Sequence, residues 1–131
     1  DDIDYRGTRS SVEISYGLAQ AGGIQIELLL QHGGSPSAYR DTYAEGQSGF
    51  HHMGCRVDNY DEAVRAYTER GIAAAATFLS GGVHVAYLDT RRQLGFMTEI
   101  VENTPAVRRA HETIRLAGLG WDGRDPIRPM P

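Results

Sequence analysis

The stretch GFHHMGCRVDNYDEAVRAYTERG, residues 49–71, decides the fold. Its opening, GFHHMGCRV, is apolar and β-prone and reads as a strand. DNYDEAVRAYTERG then reads as a helix: Asn59 with Glu62 makes a capping box and Gly71 is a stop. Ala63, Val64 and Tyr67 form its inner stripe, and Asp61 with Arg65 an outer i,i+4 pair. IAAAATFL, which follows, is ambiguous: alanine favours helix, whereas its shortness behind a glycine stop favours strand. VHVAYLDT (83–90) and LGFMTEIVE (94–102) read as a hairpin. From residue 49 to 102 the order is therefore strand, helix, strand, strand, strand.

Working outward, SSVEISYGLAQ (10–20) and IQIELLLQ (24–31) are strand-like and joined by the turn Ala21-Gly22-Gly23. A short helix is predicted from Ser35, a cap, through Pro36 to Gly46, with Tyr39 and Tyr43 sharing a face. Another is predicted after Thr104-Pro105, with Val107, Ala110, Ile114 and Ala117 on one side and Gly118 at its end. The Pro- and Gly-rich tail WDGRDPIRPMP should be irregular, anchored by burial of Trp121. A weak internal repeat sets IQIELL against FMTEIV, each a strand with a central Glu.

Composition narrows the functions. The chain has 131 residues, 40 % hydrophobic and 23 % charged, ordinary for one globular domain. A net charge of −4 argues against a nucleic-acid surface. All 13 basic residues are Arg, which excludes Schiff-base and phosphate-loop lysines within these residues. The single Cys55 excludes an internal disulfide and fits a reducing cytoplasm, the expected compartment. No apolar run approaches the roughly 20 residues of a membrane span.

Three residues carry the chemistry. Glu27, His52 and Glu99 each sit inside a short apolar run. Successive strand side chains point to opposite faces, so each must meet water or enter a pocket. Glu27, among Ile and Leu, would be expensive to bury without a cation. One imidazole and two carboxylates in one pocket would make an oxygen-rich site for a divalent metal. Alternation lets only one of His51 and His52 face it. Cys55 alternates opposite to His52 and reads as an inert buried thiol. His84 and His111 read as exposed, and His32 as a rim contact.

These features resemble the vicinal oxygen chelate superfamily, which includes glyoxalase I, methylmalonyl-CoA epimerase, extradiol dioxygenases and bleomycin-resistance proteins. Residues 49–72 are similar to the opening of the epimerase branch's second module. LDTRRQLGFMTEIVE resembles its closing hairpin, and IQIELL the last strand of its first module. The resemblance covers most of residues 7–102. It implies an α+β fold of two βαβββ modules forming a cupped mixed sheet around a metal, with residues 1–48 completing a first module and connecting helix, 49–103 the second module, and 104–131 a helix and tail. It implies Glu27, His52 and Glu99 as ligands, His52 rather than His51. His52 and Glu99 are 47 residues apart. The same spacing puts the partner of Glu27 roughly 20 residues before Asp1, so the first strand and helix of module one are expected upstream.

The resemblance further implies a metal-dependent lyase or isomerase of the glyoxalase or epimerase kind. Ni, Co, Zn, Mn or Fe would polarise a small carbonyl or acyl-CoA-like substrate. Glu99 or Glu13, the latter where the epimerase branch places a catalytic carboxylate, would move a proton on the adjacent carbon; Glu13 reads equally well as an exposed strand residue. Arg56, Tyr87 and Gln25 are candidates to face the cavity, Arg56 holding an anionic group and Tyr87 reading first as a packing residue. A homodimer is expected, with no nucleic-acid or membrane partner. The rival from another class is a metal-free binding protein of the bleomycin-resistance type. An extradiol dioxygenase is disfavoured by the ligand position that Glu27 fills.

Overall fold

The computed structural model describes residues 2–129. Asp2–Tyr5 (β1) and Thr8–Ser11 (β2) form a tight hairpin. The chain runs on through Val12 into Glu13–Ala21 (β3), which pairs along its whole length with Ile24–His32 (β4). Gly22 supplies the turn with φ +59, a conformation side chains with a Cβ rarely adopt. After a long connection come His52–Val57 (β5), Tyr60–Thr68 (α1), Ala74–Ser80 (β6), Val83–Leu88 (β7), the single turn Arg91–Leu94 (α2), Met97–Glu102 (β8) and Pro105–Gly118 (α3).

Two sheets result. One has the order β2-β1-β6-β7-β8-β5, with β5 parallel to β8 and the other pairs antiparallel. The β3–β4 ribbon is the second. The predicted strand, helix, strand, strand, strand unit is thus β5-α1-β6-β7-β8. IAAAATFL resolves as strand: its alanines pack flat, Ala75 and Ala76 being buried, with a register shift between Ala74 and Ala76. β1 pairs antiparallel with β6 and so joins the N-terminal segment to that unit.

Helix α1 forms as the capping residues dictate. The Asn59 side chain accepts from the Glu62 N–H, and its amide donates to the Glu62 carboxylate. Tyr60, Ala63, Val64 and Tyr67 cover Ala86, Leu88 and Ile100 on one face of the sheet. Arg65 pairs with Glu69 rather than with Asp61. Helix α3 is capped by Thr104, with Pro105 in its first turn, and buries Ile114. It lies along β3, where a Cβ on Gly118 would come within 2.9 Å of the Gln20 Cβ. No helix among the described residues is long and apolar enough to cross a membrane.

Three expectations need correction. Residues 35–46 form no helix: turns at 38–42 and 45–46 stand in irregular chain. A segment this short nucleates poorly, and its polar side chains bond elsewhere. Ser37 donates to Gln31, Arg40 donates to the carbonyls of Gln31 and Gly33, and the Asp41 carboxylate takes Tyr5 and Arg6. Trp121 stays half exposed, its indole donating to the Arg124 carbonyl next to it rather than entering the core. Cys55 is exposed, because among the described residues the face of β5 opposite His52 is left open at that point. The last two residues of the expected tail lie outside the described residues.

The second module buries Ile100 beneath α1. Leu28, at the matching place in the repeat beside Glu27, is 74 % exposed, with Ile24, Ile26 and Leu30 beside it on the same bare face of the ribbon.

An ion-pair clasp holds the connecting segment to the sheet. Arg6, in the left-handed region at φ 50, bridges Asp41 and Asp89 at 2.6 and 2.7 Å. Arg91 grips Asp89 at 2.7 Å and donates to the Asp41 carbonyl. The Arg91 guanidinium, aided by Arg6, holds the Asp89 carboxyl well below the usual carboxylate range. Asp89→Asn is therefore expected to destabilise the protein by about 1 kcal/mol at most near neutral pH, since water screens the pair. As pH falls below the ordinary Asp value of about 3.9, the unfolded chain protonates first and the wild-type advantage shrinks. Urea denaturation of both proteins from pH 7 to pH 3 checks it. A gap that widens on acidification would contradict the assignment.

Candidate functional site

Three strands bring the site together. On β4, alternation turns Gln25, Glu27, Leu29 and Gln31 inward and Ile24, Ile26, Leu28 and Leu30 outward. On β5 and β8, His52 and Glu99 lie on the face of the sheet opposite α1. Glu99 pairs in register with Gly54 on one side and Tyr87 on the other. The His52 Nε2 stands 3.3 Å from Glu27 Oε2 and 3.8 Å from Glu99 Oε2. Their side chains are 12, 25 and 19 % exposed. The ribbon and the second module thus contribute to one cluster.

The glycine at 54 is required by this arrangement. A Cβ there would lie 2.6 Å from Glu99 Oε2, so the carboxylate occupies the room a side chain would take. Burial pushes the Glu99 carboxyl up; the nearby Glu27 charge adds to this, and His52 and a Tyr87 hydrogen bond oppose it. Burial by itself would lower the His52 imidazole, but the carboxylates of Glu27 and Glu99 outweigh it and raise it.

The aromatic wall of the site was legible only in part. Tyr87 is 2 % exposed, and its ring meets His52 edge-on at 5.1 Å. The Tyr39 hydroxyl, pushed up to about 12 by burial, donates to the Tyr87 hydroxyl at 3.3 Å. In the sequence Tyr39 shows only as part of one face of an expected helix. His51 corrects a second expectation. Its ring contacts His52, Tyr39 and Tyr87, with centroids 5.3, 5.2 and 5.6 Å away. β5 begins at His52, so His51 still belongs to the connection and strand alternation does not govern it.

Other expected residues stand apart. Glu13 is exposed at the far end of the ribbon, opposite His32, on the outward face that it shares with Ser15 and Gly17. Strand parity therefore turns it away from Glu27. Gln25 is occupied, donating to Gln20 at 3.1 Å and to the His111 carbonyl at 2.7 Å, and so ties α3 to the ribbon. Arg56 shares the His52 face but is exposed and lies towards His111, whose imidazole is lowered by burial and by that charge. His32 bonds Ser15 at 2.8 Å on the outward face, and His84 stacks on Tyr60. A separate open groove, lined by Tyr60, Asp61, His84 and their neighbours, contains none of the cluster.

Among the described residues, no three His, Cys, Asp or Glu side chains form, as they stand, a group that could hold a metal ion. The separations are nevertheless near those a cation needs. Two donors on one ion, with bonds of about 2.0–2.2 Å, lie about 3–3.5 Å apart. The His52–Glu27 pair meets that, and Glu99 stands slightly outside it. One imidazole nitrogen and two carboxylates, buried beside one another with excess negative charge, suit a divalent ion in donor type and charge.

Residues 2–87 match the profile of the glyoxalase/bleomycin resistance protein/dioxygenase superfamily. The chain belongs to that superfamily. The match spans about two-thirds of the sequence, takes in Glu27 and His52, and ends at Tyr87, before Glu99. The α+β architecture, with its six-stranded mixed sheet and few helices, is consistent with the superfamily fold. No curated protein matches the chain.

Proposed function

We propose that this superfamily member is a metal-dependent enzyme of the glyoxalase or epimerase kind, moving a proton next to the carbonyl of a small or acyl-CoA-like substrate. The observation that carries this reading is the convergence of His52 Nε2, Glu27 Oε2 and Glu99 Oε2 from three strands. These three residues would hold the ion, with room for a further ligand from outside the described residues. A bound divalent cation would act as a Lewis acid towards the carbonyl and lower the pKa of the adjacent C–H.

The chain's own groups do the rest. Glu99 would take the proton on its second carboxylate oxygen, Oε1, and return it. Tyr87 stands beside Glu99 as its register partner on β7 and lines the site with it. Tyr39, Tyr87 and His51 wall the site against water on one side.

The test is hydrogen exchange in deuterium oxide, followed by proton NMR. Methylmalonyl-CoA and 2-oxo thioesters are supplied with each of Zn, Ni, Co and Mn. Exchange by the wild type, reduced about 100-fold or more in Glu99→Gln, is expected. No exchange with any metal, or full exchange in the variant, defeats the proposal.

A second reading has its own support. The His52–Glu27 contact at 3.3 Å is an ion pair that closes the cluster without a metal. That suits a ligand-sequestering protein, and purified protein that binds no transition metal would favour it.

A further inference from the structure

We propose that His51 is a positioning residue: it holds a hydrogen on Nδ1 of His52, so that Nε2 is the atom left to bind an ion between Glu27 and Glu99. The inference rests on the reading of His52 as a metal ligand and deepens it.

The argument follows hydrogens along a chain. His51 Nε2 lies 3.0 Å from the carbonyl oxygen of Ala38. A carbonyl only accepts, so His51 Nε2 carries the hydrogen. A neutral imidazole has one donor and one acceptor nitrogen, which leaves His51 Nδ1 with a lone pair. That atom is 3.0 Å from His52 Nδ1. Two lone pairs facing at this distance would repel, so His52 Nδ1 carries the hydrogen between them. Nε2 is then the ring atom of His52 left to meet an ion, 3.3 Å from Glu27 and 3.8 Å from Glu99. The opposite tautomer of His52 would place a hydrogen where an ion must bind.

The relay is held from several sides. The His51 ring packs edge-on against Tyr87 and tilted against Tyr39. Its carbonyl accepts from the Met97 N–H at 3.0 Å, pinning the start of β5 to β8. Metal-bound histidines commonly donate their other ring N–H to a carboxylate or backbone carbonyl, and loss of that partner weakens binding about 10–100-fold. Here a second imidazole stands in between and passes the constraint to a backbone carbonyl. The sequence shows only two adjacent histidines.

Two measurements on the 131-residue chain test this. Nitrogen-15 ring spectra of the Zn2+-loaded protein report the ring hydrogens directly. His51 is expected as the Nε2–H form and His52 as the Nδ1–H form. A Zn2+-bound His52 that lacks a hydrogen on Nδ1 overturns the proposal. Second, Zn2+ affinity is measured by competition with a chromophoric chelator. His51→Phe keeps the ring's bulk but removes the acceptor, and an affinity loss of about 10–100-fold is expected. His51→Asn, whose amide oxygen falls near the place of Nδ1, should restore most of it. Zn2+ binding that needs His52 yet is unchanged in His51→Phe overturns the inference alone. If wild type binds no Zn2+, the proposed function falls and takes the inference with it. If His51→Phe does not fold, the wild-type spectrum and His51→Asn still decide.

Discussion

Replacing His52 with alanine should weaken divalent-metal binding by more than about 100-fold. Removing a group that merely orients a ligand costs about 10–100-fold, and His52 is read as the ligand itself. It is also the nitrogen donor between the two carboxylates, 3.3 and 3.8 Å from them. Calorimetric titration of wild type and variant with Zn2+ checks the loss. The affinity should also depend on pH, because Nε2 must lose its proton to bind. Glu27 and Glu99 raise the His52 imidazole above its ordinary value, so wild-type affinity should fall as pH drops through that raised value. Equal binding by both proteins would place the metal elsewhere or nowhere.

The second large effect concerns stability. Leu88 is fully buried with Ala86 and Ile100, under Tyr60, Ala63, Val64 and Tyr67 of α1. Leu88→Ala is expected to destabilise the protein by about 2–5 kcal/mol, combining lost burial with the cavity left behind. Against a typical total of about 5–15 kcal/mol, that is a substantial share. Urea denaturation measures it. A change below about 1 kcal/mol would mean that α1 is not held by this layer. Leu88 points to the α1 face and its neighbour Tyr87 to the site, so metal affinity at low temperature should respond far less than stability.

What could be read from the sequence divides along physical lines. β5-α1-β6-β7-β8 was legible because α1 carries its own cap and stripe, and because the strands are bounded by Gly and Asp turns. Glu27, His52 and Glu99 stood out as polar residues in apolar runs, and alternation on regular strands carries each to the same face. His51 was misjudged where that regularity stops: its backbone has not yet entered β5. Glu13 was placed by resemblance, and strand parity overrules that placement. Residues 35–46 look helical in isolation, but Arg6, Tyr5 and Gln31 draw their side chains into other contacts. Such partners are distant in the chain and leave no local mark. Tyr39 is a part of the wall for the same reason.

Gly54 sets fold against chemistry. A glycine inside a strand costs about 0.5–1 kcal/mol relative to alanine through extra freedom in the unfolded chain. Alanine would thus firm up β5, and the clashing atom, at the end of a flexible side chain, could swing aside. The swing would carry away the oxygen that the neighbouring imidazole faces. A selection for heat resistance would therefore enrich the very substitution that a selection for turnover discards, and the residue that survives in nature reports which pressure has prevailed.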